Sequence, residues 1–72
     1  MAWNVTIAKD LVTGQQLSQE FVDVIPVNDG SGRVHVTYNP YGEGYPASNI
    51  ATVNSNGEII NQAGFHVEVE HV

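Results

Sequence analysis

The chain has 72 residues, no cysteine, and eight acidic side chains against two basic ones, Lys9 and Arg33, for a net charge of −6. Disulfide staples and thiolate metal sites are therefore excluded. So is a surface that tracks nucleic-acid phosphates with clustered Lys and Arg, and no direct nucleic-acid contact is expected.

The length corresponds to one domain, residues 1–72. A domain of this size buries only about 60% of the surface its unfolded chain exposes. Its core rarely supplies more than roughly 3–5 kcal/mol. Association with copies of itself or with a larger body is the remaining common source of stability, so a homo-oligomer or assembly component is expected. Apolar residues make up 42% of the chain, near the globular norm, which argues against disorder although charged residues are only 14%. No apolar stretch approaches the length needed to cross a bilayer, and the start of the chain lacks a basic leader. Together with the missing cysteines, this predicts a soluble protein made in the cytoplasm, with no membrane contact.

The dominant hydrophobic period along the chain is two. Trp3, Val5 and Ile7 alternate with Asn4 and Thr6, which predicts a half-buried strand with Trp3 as the largest anchor of the core and a turn from Lys9. Residues 13–27 carry conflicting signals. Thr13 and Gln16 have the spacing of a capping box, and Leu17, Phe21, Val24 and Ile25 fall on one helical face, so a short helix over residues 14–23 is one reading. Residues 21–27 are rich in β-branched side chains and contain Pro26, which favours a strand over residues 18–25 with Pro26 at an edge or strand end.

Asn28-Asp29-Gly30-Ser31-Gly32 is a turn. Val34, Val36 and Tyr38 then alternate along a strand that forms a hairpin or meander with the preceding one. Asn56-Gly57 marks a second hairpin between residues 50–53 and 58–60. After a turn at Gln62-Ala63-Gly64, residues 65–72 form the last strand. Phe65, Val67, Val69 and His71 lie on one face of it, and His66, Glu68 and Glu70 on the other. Turn signals about every ten residues predict an all-β domain, a small antiparallel barrel or two-layer sandwich built from hairpins.

Between the strands lies Tyr38-Asn39-Pro40-Tyr41-Gly42-Glu43-Gly44-Tyr45-Pro46, which holds all three tyrosines of the chain. This density of Pro and Gly predicts an irregular loop. Tyr38, in register with Val34 and Val36, is assigned to the core face. Tyr41 and Tyr45, with Asn39 and Glu43 as polar neighbours, are the candidate partner-binding residues, because tyrosine gives rigid contact area and asparagine and glycine adaptable hydrogen bonding. The alternative is that the rings fold back over one end of the core with their hydroxyls in water.

His66, Glu68 and Glu70, with His35 and Thr37 on a neighbouring strand, have donor types that can hold zinc. Any polar strand face gives this pattern, so the simpler reading is a solvated face whose charges discourage edge pairing, and neither metal nor cofactor is expected. A pH-sensitive contact is an intermediate reading, because imidazole is the side chain that changes charge near neutrality. No spacing of serines, histidines and acids resembles a nucleophile elbow, and neither a phosphate loop nor a dinucleotide fingerprint is present, so no enzymatic activity is expected.

These readings converge on a non-enzymatic structural or interaction module working within a protein assembly, with a viral capsid or tail accessory protein as a concrete form. Two alternatives remain. One is a small acidic inhibitor that mimics nucleic acid on a basic protein surface. The other is a carbohydrate-binding module that stacks Tyr41 and Tyr45 on sugar rings.

Overall fold

The computed structural model describes residues 3–42 and 44–71. Six strands follow one another: β1 (Trp3–Asp10), β2 (Val22–Pro26), β3 (Val34–Tyr38), β4 (Ser48–Val53), β5 (Ile59–Asn61) and β6 (Phe65–His71). They form two antiparallel sheets, β1 with β6 and β2-β3-β4-β5 in sequence order. The all-β expectation holds. Of the two architectures, the chain takes the sandwich: the sheets pack on one another without closing into a barrel.

The helix over residues 14–23 does not form. The helical geometry here is one 3₁₀ turn, Gln19–Phe21, and the strand starts at Val22 rather than Ser18. Two local causes are visible. The Thr13 hydroxyl accepts the Gln15 N–H at 3.2 Å inside a turn, where the Asp10 carboxylate already takes the Val12 and Thr13 N–H groups. It is therefore not available as a helix cap. Beyond it the chain doubles back on β1, with Asp10 N–H donating to Gln15 O at 2.9 Å and Leu17 N–H to Ala8 O at 2.7 Å. This strap covers the edge of β1 that β6 does not pair.

Lys9 and Asp10 are the last residues of β1, not the start of a turn. Within β1 the pairing with β6 runs from Val5↔Val69 to Ile7↔Glu68, leaving Thr6 as a bulge. A bulge puts two residues opposite one and breaks the period of two. Ala8, at 2% exposure, therefore takes the core position expected of Ile7.

The β2–β3 hairpin pairs Val22 with Tyr38 through to Pro26 with Val34. Pro26 stands in an edge strand, where its missing N–H costs the ladder nothing. The Asn54 side chain shapes the β4–β5 turn by accepting the N–H groups of Asn56 and Glu58 at 3.0 and 2.9 Å. A second bulge falls at Ile50, where the β3–β4 register shifts between Val36 and Thr37. With its amide nitrogen turned inward, Asn49 donates to Val36 O and Ala51 O at 3.1 and 2.8 Å, which ties the backbone together at the irregularity.

Seven side chains form the buried core: Val5, Ala8, Val36, Ile50, Ala51, Val53 and Val67. All are aliphatic. Strand β4 is the most enclosed, with residues 50–53 buried consecutively. Trp3 is not the core anchor the alternation suggested. It is half-buried at the rim, paired with His71 across β1 and β6, with ring centroids 4.8 Å apart. Its six-membered ring lies on Gly57 in the β4–β5 turn, so it links the open end of one sheet to a hairpin of the other. Among the described residues, no helix is long and apolar enough to cross a membrane.

Candidate functional site

The loop over residues 39–47 leaves β3 beside β2 and returns as β4. Its first residue organises it. The Asn39 backbone N–H donates to Phe21 O at 2.9 Å, continuing the β2–β3 ladder by one step. Its side-chain amide nitrogen donates to Gly42 O at 2.7 Å and Tyr45 O at 3.1 Å, and its carbonyl oxygen accepts the Tyr41 N–H at 3.1 Å. One side chain thus holds three points of the loop. Both amide protons of Asn39 are spent internally, which makes it the hub of the loop rather than a free polar contact. Glu43 lies outside the described residues.

Tyr38 is half-buried and packs against the core at the end of β3, opposite Val22. Tyr41 and Tyr45 point outward, 75% and 60% exposed, with ring centroids 5.6 Å apart at an interplanar angle of 49°. That separation lies within the range of favourable tilted aromatic pairs. The two rings therefore form one tilted platform, anchored from behind by Asn39. Two rigid aromatic bodies with hydroxyl tips, held at fixed spacing in water, suit contact with another surface.

The C-terminal ladder behaves differently. His66 Nε2 lies 2.9 Å from Glu68 Oε2, both about half-exposed on the outer face of β6. Glu70 receives only a long 3.4 Å contact from the Asn4 amide across the β1–β6 pair. The neighbour of β6 is β1, whereas His35 and Thr37 belong to β3 in the other sheet. They therefore cannot complete a ligand set with His66, Glu68 and Glu70. Among the described residues no group of three or more histidine or acidic side chains converges as a metal site.

One feature was not read from the sequence. Where the first residues of β1 diverge from β2, a cleft of about 350 Å³ opens between the two sheets. Trp3, Asn4, Gln19 and Asp23 supply its polar and aromatic lining, with Val22 and Val24 as apolar walls. Gln19 spans the gap: its amide nitrogen donates to Val5 O and Thr6 O at 3.0 and 3.2 Å, meeting the carbonyls at the β1 bulge. The lining residues stand about twenty positions apart in the chain and meet only because two sheets separate at one corner, so no local pattern announces them.

No protein-family model, curated protein or solved structure matches the chain.

Proposed function

We propose that the chain is a non-enzymatic interaction module that works within a larger protein assembly, and that the Tyr41–Tyr45 platform is its contact surface. The carrying observation is the pair itself: two rings, 75% and 60% exposed and 5.6 Å apart, in a loop held by two hydrogen bonds that the Asn39 amide donates and one that it accepts. Exposed aromatic area of this kind is costly to leave in water and is what interface anchors are made of. A small core of aliphatic side chains also gives a domain that gains from company. A virus-particle accessory protein, made in the cytoplasm and carried in the particle, is a concrete form of this role. Association with further copies of the chain is another.

The test compares the wild-type chain with a Tyr41→Ala/Tyr45→Ala variant. Light scattering reads self-association, and affinity capture from the native source reads partners. Because both rings are exposed, the variant should keep the wild-type circular dichroism and melting temperature to within about 0.5 kcal/mol of stability. The wild type should associate with itself or with an assembly, and the variant should lose that association at least tenfold. A wild-type chain that stays monomeric, and captures nothing that the variant fails to capture, overturns the proposal.

A further inference from the structure

We infer that the cleft between β1 and β2 takes the guanidinium of an arginine side chain presented by a protein partner. The inference goes beyond the tyrosine platform and stands without it.

The first argument is what the cleft can still accept. The two amide protons of Gln19 are engaged by Val5 O and Thr6 O, so the group it retains for a ligand is its carbonyl oxygen. Asp23 is exposed on β2 and takes part in neither ion pair of the described residues, Arg33–Asp29 and His66–Glu68. The cleft is thus rich in acceptors, one of them a carboxylate. A ligand with many donors and a positive charge satisfies it, and guanidinium offers five N–H groups in a planar fork.

The second argument is the wall. Trp3 lines the cleft and is only half-buried. Indole is the best aromatic partner for a cation, and guanidinium stacks on it more readily than ammonium does. Val22 and Val24 offer apolar surface to the methylene stem of an arginine.

The third argument is scale and charge. A volume of about 350 Å³ is at the low end of small-ligand clefts, which suits one inserted side chain. The net charge of −6 draws a basic partner toward the chain as a whole. Position adds to this: Val22, a wall of the cleft, pairs directly with Tyr38, the residue from which the tyrosine loop departs. A partner seated on Tyr41 and Tyr45 therefore has the cleft on the same end of the four-stranded sheet.

The chain has one tryptophan, so its fluorescence reports the surroundings of Trp3 alone, which are the cleft together with Gly57 and His71. The probe is the peptide acetyl-Gly-Arg-Gly-amide, with the citrulline peptide as a neutral isostere, the lysine peptide as a compact cation, and maltotriose as a neutral sugar. The arginine peptide should shift Trp3 emission saturably in the millimolar range, with the lysine peptide weaker and citrulline weaker by about tenfold or more. Asp23→Asn, at an exposed position, should retain the wild-type circular dichroism and lose about tenfold in affinity for the arginine peptide. Tyr41→Ala/Tyr45→Ala should bind the peptide like wild type, which separates failure here from failure of the tyrosine platform. No saturable shift up to about 10 mM peptide overturns the inference. So does citrulline binding equal to arginine, an Asp23→Asn variant that binds undiminished, or displacement of the peptide by maltotriose.

Discussion

Strands β3 and β4 and the loop that joins them are continuous in the chain yet use side chains in opposite ways. The strands supply Val36, Ile50 and Val53, the largest fully buried side chains, and all are aliphatic. The loop between them holds Tyr41 and Tyr45 among the most exposed large apolar residues. In a sandwich this thin, short branched side chains fill the space between sheets, and rings are left to the rim or to water. Trp3, half-buried over Gly57, and Tyr38, half-buried opposite Val22, are the rim. The comparison separates stability, which resides in small aliphatics, from the surface proposed for recognition, which is made of rings.

Emptying the buried side of that comparison should have the largest effect. Ile50 is 2% exposed at the β4 bulge. Ile50→Ala removes its methyl and methylene groups from a close-packed site at a cost of about 2–5 kcal/mol. Against a total of roughly 3–5 kcal/mol for a domain of this size, the variant should be largely unfolded at 25 °C. Urea titration followed by circular dichroism measures this, and a variant as stable as wild type would place the core elsewhere.

The rim comes next. Gly57 has φ +85°, and a Cβ there would overlap the Trp3 ring. Gly57→Ala combines a left-handed backbone with displacement of the indole, an expected loss of about 1–3 kcal/mol with a changed Trp3 emission. Gly30→Ala is the control, since φ there is +80° but nothing lies within 4 Å of the added carbon. It should cost only the backbone part and leave the emission unchanged. Equal losses in both variants would mean that the Trp3–Gly57 contact carries no stability.

How much of this was legible in the sequence follows the reach of each signal. Turns are local: Asn56-Gly57 and Asp29-Gly30 placed both hairpins, and the alternation of Val34, Val36 and Tyr38 placed one strand face. Bulges at Thr6 and Ile50 were not legible, because one extra residue is decided by a partner strand distant in the chain. Each shifted a face by one position, and Ala8 replaced Ile7 in the core. The helix reading of residues 14–23 failed because apolar spacing can mimic a helical face, while the actual contacts of this segment are with β1 and β3. Tyr38 could be separated from Tyr41 and Tyr45 by strand register. The sequence points to Asn39 as a contact residue, and only the folded loop shows its amide protons spent on Gly42 and Tyr45. The cleft beside Trp3 depends on two sheets diverging and had no sequence signature.

The exposed side of the comparison is sharpened at Asn39. Asn39→Ala removes three solvent-exposed hydrogen bonds, for which water substitutes in part, so the stability loss should be only about 1–2 kcal/mol. The larger consequence should be the pairing of the rings: contacts between Tyr41 and Tyr45 ring protons, measured by nuclear Overhauser effects, should fade. Asn39→Asp keeps the acceptor for Tyr41 N–H and loses both donors, so it should fall between wild type and alanine. Undiminished ring contacts in Asn39→Ala would show that the platform holds itself together.

The smallest expected effect lies at the β2–β3 turn, far from both the core and the rings. Hydrogen bonds from the Ser31 side chain and backbone, and then the Arg33 guanidinium 3.0 Å away, lower the Asp29 carboxyl from 3.8 to about 2. A carboxyl held low in the folded chain contributes stability above its unfolded value, and that contribution is lost as pH falls through the folded value. The window is therefore pH 3.8 down to about 2. The site is exposed, so the change should be slight. Asp29→Asn should flatten the stability profile across that window and lower it slightly, by a constant amount, above it. Ser31→Ala should remove the largest single part of the slope, ahead of the Arg33 bond or the Arg33 charge taken singly, while the Ser31 backbone N–H still donates to Asp29. Added salt should weaken the Arg33 part and spare the Ser31 part, since screening acts on the charge pair and not on neutral donors. A slope that vanishes entirely in high salt would assign the whole effect to Arg33 and reverse that order.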